Sequence, residues 1–141
     1  MTTNDVDAVV RASDVLHRYC AAIDSHDAEA LAKVFSPDVV LAVAGAEGSA
    51  EEQTFPGRDT VVAILASLFE QRQWARHLVS NVRVAAQADG SLDVRSYFQF
   101  HLGRADGVTS GVGDYRVLMR DDDGRLVISR FTAAIVHEVT A

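Results

Sequence analysis

The second half of the chain consists of four long β-rich runs, "RHLVSNVRVAAQ", "LDVRSYFQFHLG", "TSGVGDYRVLMR" and "RLVISRFTAAIVHEV", separated by "ADGS", "RADGV" and "DDDG". Each separator places a glycine for a tight turn, so successive antiparallel hairpins follow. The first half has a different period. Val6, Val9, Val10, Ala12, Leu16, Tyr19 and Ile23 recur every three or four residues, as on an amphipathic helix. Ser25-His26-Asp27 breaks that helix, and Asp27 caps a second one whose apolar stripe is Ala28, Leu31, Val34 and Phe35. Ser36-Pro37-Asp38 ends it, because proline disfavours the α conformation in the residue before it. Val39 to Val43 reads as a short strand, and Ala44 to Gly57 as a surface loop with the composition of a lid. Asp59 is expected to cap a third helix that buries Val62, Leu65, Leu68 and Phe69 and leaves Glu70 and Arg72 in water. Helices first and strands after predict an α+β fold, with three N-terminal helices on one face of a curved, mostly antiparallel sheet.

A chain of 141 residues, 48% of them hydrophobic, fits one domain with a single core and a cavity inside it, behind a polar tail at Met1 to Asp5. The formal charge is -7, from 20 acidic and 13 basic residues without a Lys/Arg cluster, which argues against nucleic-acid and anionic-membrane partners. A neutral or weakly charged small molecule, or another protein, is expected instead. Cys20 is the only cysteine, so no intramolecular disulfide forms; within an apolar helical stripe it reads as a small core hydrophobe rather than a nucleophile. With no charged-then-apolar leader and no apolar run approaching the ~20 residues that span a bilayer, the expectation is a soluble, cytoplasmic protein.

Five stretches, "YCAAIDSHDAEALAKVFSPDV", "FPGRD", "RHLVSNV", "SYFQFH" and "DDGRLVISRF", in this order and spacing, resemble the nuclear transport factor 2-like superfamily. Within it the similarity is to the SnoaL-like branch that includes scytalone dehydratase and bile-acid dehydratases. The resemblance implies a helical cone closed by a bent sheet, an apolar pocket between them, and a dimer or trimer formed on the outer face of the sheet. Scytalone dehydratase is similar at Asp24, His77 and His101, and the bile-acid dehydratases at Tyr19, Asp24, His77 and Arg130. The latter carry an aspartate near the place of His101. The steroid isomerase relatives keep a catalytic aspartate in the first strand, where "VVLAVAG" has no ionisable residue. The serine and asparagine of scytalone dehydratase's fourth strand fall near Gly113 and Tyr115.

The resemblance thus implies Tyr19, Asp24, His77 and His101 as catalytic residues, with Asn81, Tyr115, Arg130, Phe35 and Trp74 around the substrate. Removing water from a β-hydroxy ketone needs a base at the α-carbon, a donor for the enolate oxygen and an acid for the departing hydroxyl. Histidine serves as base and acid near neutral pH, tyrosine donates without ionising, and a carboxylate fixes the imidazole tautomer. No metal or organic cofactor is needed, and the substrate expected is a small, largely apolar ketone or polyketide-like molecule. Two geometrical questions stay open. Five residues at about 100° each put Tyr19 and Asp24 roughly 140° apart on one helix, so they share a ligand only at the helix end. Strand alternation puts His77, Val79 and Asn81 on one face and Leu78, Val82 and Val84 on the other, with His101 opposing Phe98, Phe100 and Leu102. Alternation alone leaves both histidines outside the core, unless a bulge shifts the register or the core-facing side holds the polar pocket. A lyase or isomerase, a non-catalytic binding or dimerisation module, and a metal site built from Asp24, His77 and His101 are the competing functions.

Overall fold

The computed structural model describes residues 3–43 and 52–141. Helix α1 spans Thr3–Asp24, α2 Ala28–Lys33 and α3 Arg58–Ala66, and a 3-10 turn follows at Phe69–Gln71. The strands are β1 Phe35–Val43, β2 Gln53–Pro56, β3 Trp74–Ala86, β4 Leu92–Arg104, β5 Gly107–Asp122 and β6 Arg125–Thr140. They form one sheet in the order β2-β1-β6-β5-β4-β3, antiparallel except where β1 runs parallel to β6. The fold is α+β, with the helices packed on one face of a curved, open sheet.

α1 buries Ala12, Val15, Leu16, Tyr19, Cys20, Ala22 and Ile23, the stripe its period dictates, and lies against β3. Its start departs from the sequence reading: helix begins within the expected polar tail, and Val6 and Val10 are exposed, Val10 because two residues, about 200°, turn it away from the buried Ala12. Asp27 caps α2 as expected, its carboxylate accepting from the Ala30 N–H at 3.0 Å. Phe35 lies in β1 rather than on α2, and Pro37 falls inside that strand. A register irregularity between Phe35 and Val40 accommodates it, since a proline cannot donate to the ladder. Asp59 is not the cap of α3; Gly57 holds that position without a side-chain hydrogen bond. The segment read as one loop contains β2 in its second part, paired antiparallel with β1, while 44–51, where a lid was expected, lie outside the described residues.

Alternation on β4 puts Ser96, Phe98, Phe100 and Leu102 on the concave face, which the helices cover. Across the ladder Gly113 faces Phe98 and Gly111 faces Phe100. A Cβ on Gly113 would come within 2.4 Å of the Ala134 carbonyl oxygen and 2.5 Å of the Phe98 ring, so only glycine lets the ring lie on the strand. The β5–β6 hairpin turns through Asp123 and Gly124, both at positive φ, the conformation of a tight hairpin turn. Of the Asp121–Asp123 run only Asp123 lies in the turn; Asp121 and Asp122 end β5 in the ladder to β6, and Asp121 pairs with Arg11 at 2.6 Å.

Candidate active site

Asp24 is the last residue of α1. Its backbone ends there because the chain reverses over the next residues, with His26 at φ 55. Released from the helix surface, the carboxylate reaches β3 and grips His77 twice. One oxygen meets the His77 ring Nδ1 at 2.7 Å, and the other accepts the His77 backbone N–H at 2.9 Å. A carboxylate only accepts, so Nδ1 carries the proton and Nε2 keeps its lone pair. Among the described residues Nε2 makes no hydrogen bond. The two side chains are 11% and 14% exposed, enough for one atom to meet a ligand and too little for water to screen the pair. Burial is the largest influence on the imidazole and holds its pKa below the ordinary 6.5, although the Asp24 hydrogen bond and charge pull upward. The ring is therefore a neutral base near pH 7.

The register explains why His77 points inward. It stands opposite Phe100, which is buried, and stacks on that ring at 6.5 Å. Ala75, His77 and Val79 share this concave face; a bulge between Ser80 and Arg83, with Asn81 at φ 57, then brings Val82 and Val84 onto it as well. Leu78 is left outside, half exposed.

Tyr19 lies one turn and a half before Asp24, buried among Phe35, Tyr115 and Phe131 at ring distances of 6.2, 6.1 and 4.7 Å. Tyr115 in turn stacks on Phe98 at 4.0 Å. Burial pushes the pKa of both phenols far above the usual range, with Asp24 adding to the effect, so each stays a neutral donor. Among the described residues neither hydroxyl makes a hydrogen bond. Cys20 is buried as read, its thiol pushed up to about 12 by burial and by Asp24, and so unreactive.

Other expected site residues lie elsewhere. His101 faces the outer side of the sheet, opposite Arg76, with Nδ1 2.8 Å from the Ser110 hydroxyl. It cannot join His77, because consecutive strand positions point to opposite faces. The proposed metal triad is not formed for the same reason. Arg130, next to the buried Phe131, is on the outer side and pairs with Glu52. Asn81 is exposed at the bulge, and Trp74 is exposed over Gly103, with no room there for another side chain. Phe35 and Tyr115 belong to the aromatic wall around Tyr19. Five surface clefts, of about 310 to 500 Å³, are lined by other residues than Tyr19, Asp24 and His77.

One site residue was missed. Arg72, expected in water, is half-buried where the 3-10 turn meets β3, and it interacts electrostatically with Tyr19, Asp24, Tyr115 and His77. Its backbone N–H donates to the Phe69 carbonyl at 3.3 Å, and the Phe69 ring stacks on His26 at 4.9 Å just past Asp24. Helical periodicity could not find it, because the helix stops at Ala66 and the period stops with it.

Residues 4–132 match the SnoaL-like domain, and the chain belongs to that family. No curated protein matches it. Among solved structures, a scytalone dehydratase-like protein of Novosphingobium aromaticivorans is similar with a TM-score of 0.84 at 18% identity, over 100% of this chain and 92% of that one. A hexachlorocyclohexane dehydrochlorinase of Novosphingobium barchaimii reaches 0.81 at 12% identity, over 96% and 91%. ActVI-ORFA of Streptomyces coelicolor reaches 0.76 at 16%, over 91% and 96%. At such identities these likenesses speak for the fold alone. Among the described residues no helix is long and apolar enough to cross a membrane.

Proposed function

We propose that this chain is a cofactor-independent lyase or isomerase, of dehydratase or cyclase type, acting on a small, largely apolar ketone or polyketide-like substrate. The observation that carries the reading is the double contact between Asp24 and His77 at 2.7 and 2.9 Å, which leaves Nε2 without a hydrogen bond among the described residues. In this mechanism Nε2 takes a proton from the carbon next to the carbonyl. The C–H electron pair becomes the enolate, whose oxygen accepts from the Tyr19 hydroxyl. The enolate then expels the β-hydroxyl, which leaves as water with the proton that His77 returns. Asp24 holds the tautomer and stabilises the transient imidazolium. One histidine suffices for both proton transfers, so His101 has no part in the scheme. The test is turnover across a panel of β-hydroxy ketones with His77→Ala beside the unaltered protein. A drop of roughly 10²–10⁴-fold is expected for loss of a general base, and unchanged turnover would sink the reading.

A second reading, a non-catalytic binding or dimerisation module, is supported by the packed aromatic wall around Tyr19 and by the absence of the dyad from the five clefts described. Ligand binding that survives His77→Ala, with no turnover in either protein, would favour it. We also infer a homo-oligomer built on the outer sheet face, where Leu78, Tyr97 and Val112 are exposed; light scattering at the molar mass of one chain would exclude it.

A further inference from the structure

Arg72 is a half-buried guanidinium without a direct partner among the described residues. Among the described residues it makes no ion pair and no side-chain hydrogen bond. The nearby carboxylate, Asp24, has both oxygens engaged by His77. A second cation adds to the problem. Arg104 ends β4 on the concave side, interacts with Arg72 as a like charge, and has its Nε fully occluded with no hydrogen-bond partner. The two are tied into one corner, since the Gln73 N–H donates to the Gly103 carbonyl at 2.8 Å. Of the other arginines, Arg11, Arg18, Arg116, Arg120 and Arg130 meet carboxylates and Arg76 and Arg125 meet backbone carbonyls, while Arg58 and Arg83 have no such contact among the described residues.

Holding two guanidiniums near each other, partly out of water and without a direct ion pair, is unfavourable in the empty protein, and the charge of Asp24, already engaged by His77, offsets it only in part. Proteins tolerate such an arrangement where a ligand completes it. The planar fork of arginine matches a carboxylate through two parallel hydrogen bonds. We propose that Arg72, seconded by Arg104, is an anion anchor that holds a carboxylate of the substrate, so the substrate is a keto acid rather than a neutral ketone. The carboxylate lies on the Arg72 side of the site while the reacting carbon faces Nε2, and the fixed charge sets which α-carbon meets the base. The inference rests on the dyad reading for where the substrate lies, and narrows its substrate class.

Benzoate and benzamide, alike in shape and different in charge, test it. Titrations would follow the side-chain N–H signals of 15N-arginine-labelled protein, in the unaltered chain and in Arg72→Met, Arg72→Lys, Arg104→Met and His77→Ala. Benzoate is expected to bind at least tenfold more tightly than benzamide and to move the Arg72 signal. Arg72→Met should abolish that preference, Arg104→Met should weaken it, and Arg72→Lys should keep part of it, since the charge remains while the fork is lost. The preference should persist in His77→Ala. Thus failure of the base, read from turnover, and failure of the anchor, read from charge preference, give different results. Equal binding of the two probes, an unmoved Arg72 signal, or a preference that survives in Arg72→Met would overturn the proposal.

Discussion

His77 and His101 lie on opposite faces of the sheet, and the difference between them separates a reactive group from an ordinary one. His77 is on the concave face, gripped by a carboxylate from 53 residues away, with its ring partly dehydrated and its pKa pressed down. His101 is only one ladder step away, opposite Arg76, yet its ring meets a serine hydroxyl on the open side. The residue type is identical. What differs is which way the pleat turns it, and therefore whether a charge, an aromatic wall and a dehydrated environment surround it.

The largest effect expected from breaking this contrast is on turnover. Asp24→Asn keeps the shape but replaces an acceptor that fixes the His77 tautomer, and kcat should fall by roughly 10²–10⁴-fold with a smaller change in KM. Steady-state kinetics on a substrate found in the β-hydroxy ketone panel would check this, and a preserved kcat would contradict the orienting role. Next is the concave face itself. Gly113→Val puts a branched side chain against the Ala134 carbonyl and the Phe98 ring, and should cost about 1–3 kcal/mol in denaturant unfolding; an unchanged midpoint would contradict the close packing of that ring.

A third effect follows from the depressed His77 pKa. Between the folded value and 6.5 the unfolded chain binds more protons than the folded one, so stability rises with pH through this window. Acidification below 6.5 should therefore destabilise the protein, and His77→Gln should flatten that slope in melts run across the same pH range. Activity should share the sign: kcat/KM climbs with pH as the imidazole loses its proton, and levels off above 6.5. A rate that falls with rising pH there would exclude the neutral base. The smallest effect sharpens the comparison from the other side. His101→Ala should leave turnover unchanged and stability within about 0.5 kcal/mol, as for a surface position; a large loss of activity would show that the outer face takes part.

Some of this was legible in one dimension. The α1 stripe, the Asp27 cap and the glycine-bearing hairpin turns are local features, and local periodicity and turn chemistry report them directly. β2 was hidden because a short strand in an acidic, glycine-rich segment has almost no period of its own and exists through its ladder to β1. Phe35 and Pro37 were misassigned for a related reason: the parallel pairing with β6 outweighs the local helical signal. Arg130 was drawn to the site by resemblance, although its neighbour Phe131 takes the inward position and leaves it to Glu52.

The sequence by itself determined the α+β order of elements, the glycines that close the hairpins, and the inward row Phe98, Phe100 and Leu102 that leaves His101 outside. These depend on residues a few positions apart, and the backbone's own periods carry them. Only the tertiary structure decided that His77 faces in, that Asp24 meets it at the helix end, and that Arg72 and Arg104 share a corner without a direct ion pair among the described residues. Those outcomes depend on a bulge, a ladder register and a helix terminus acting together, and no single segment contains the information that sets them.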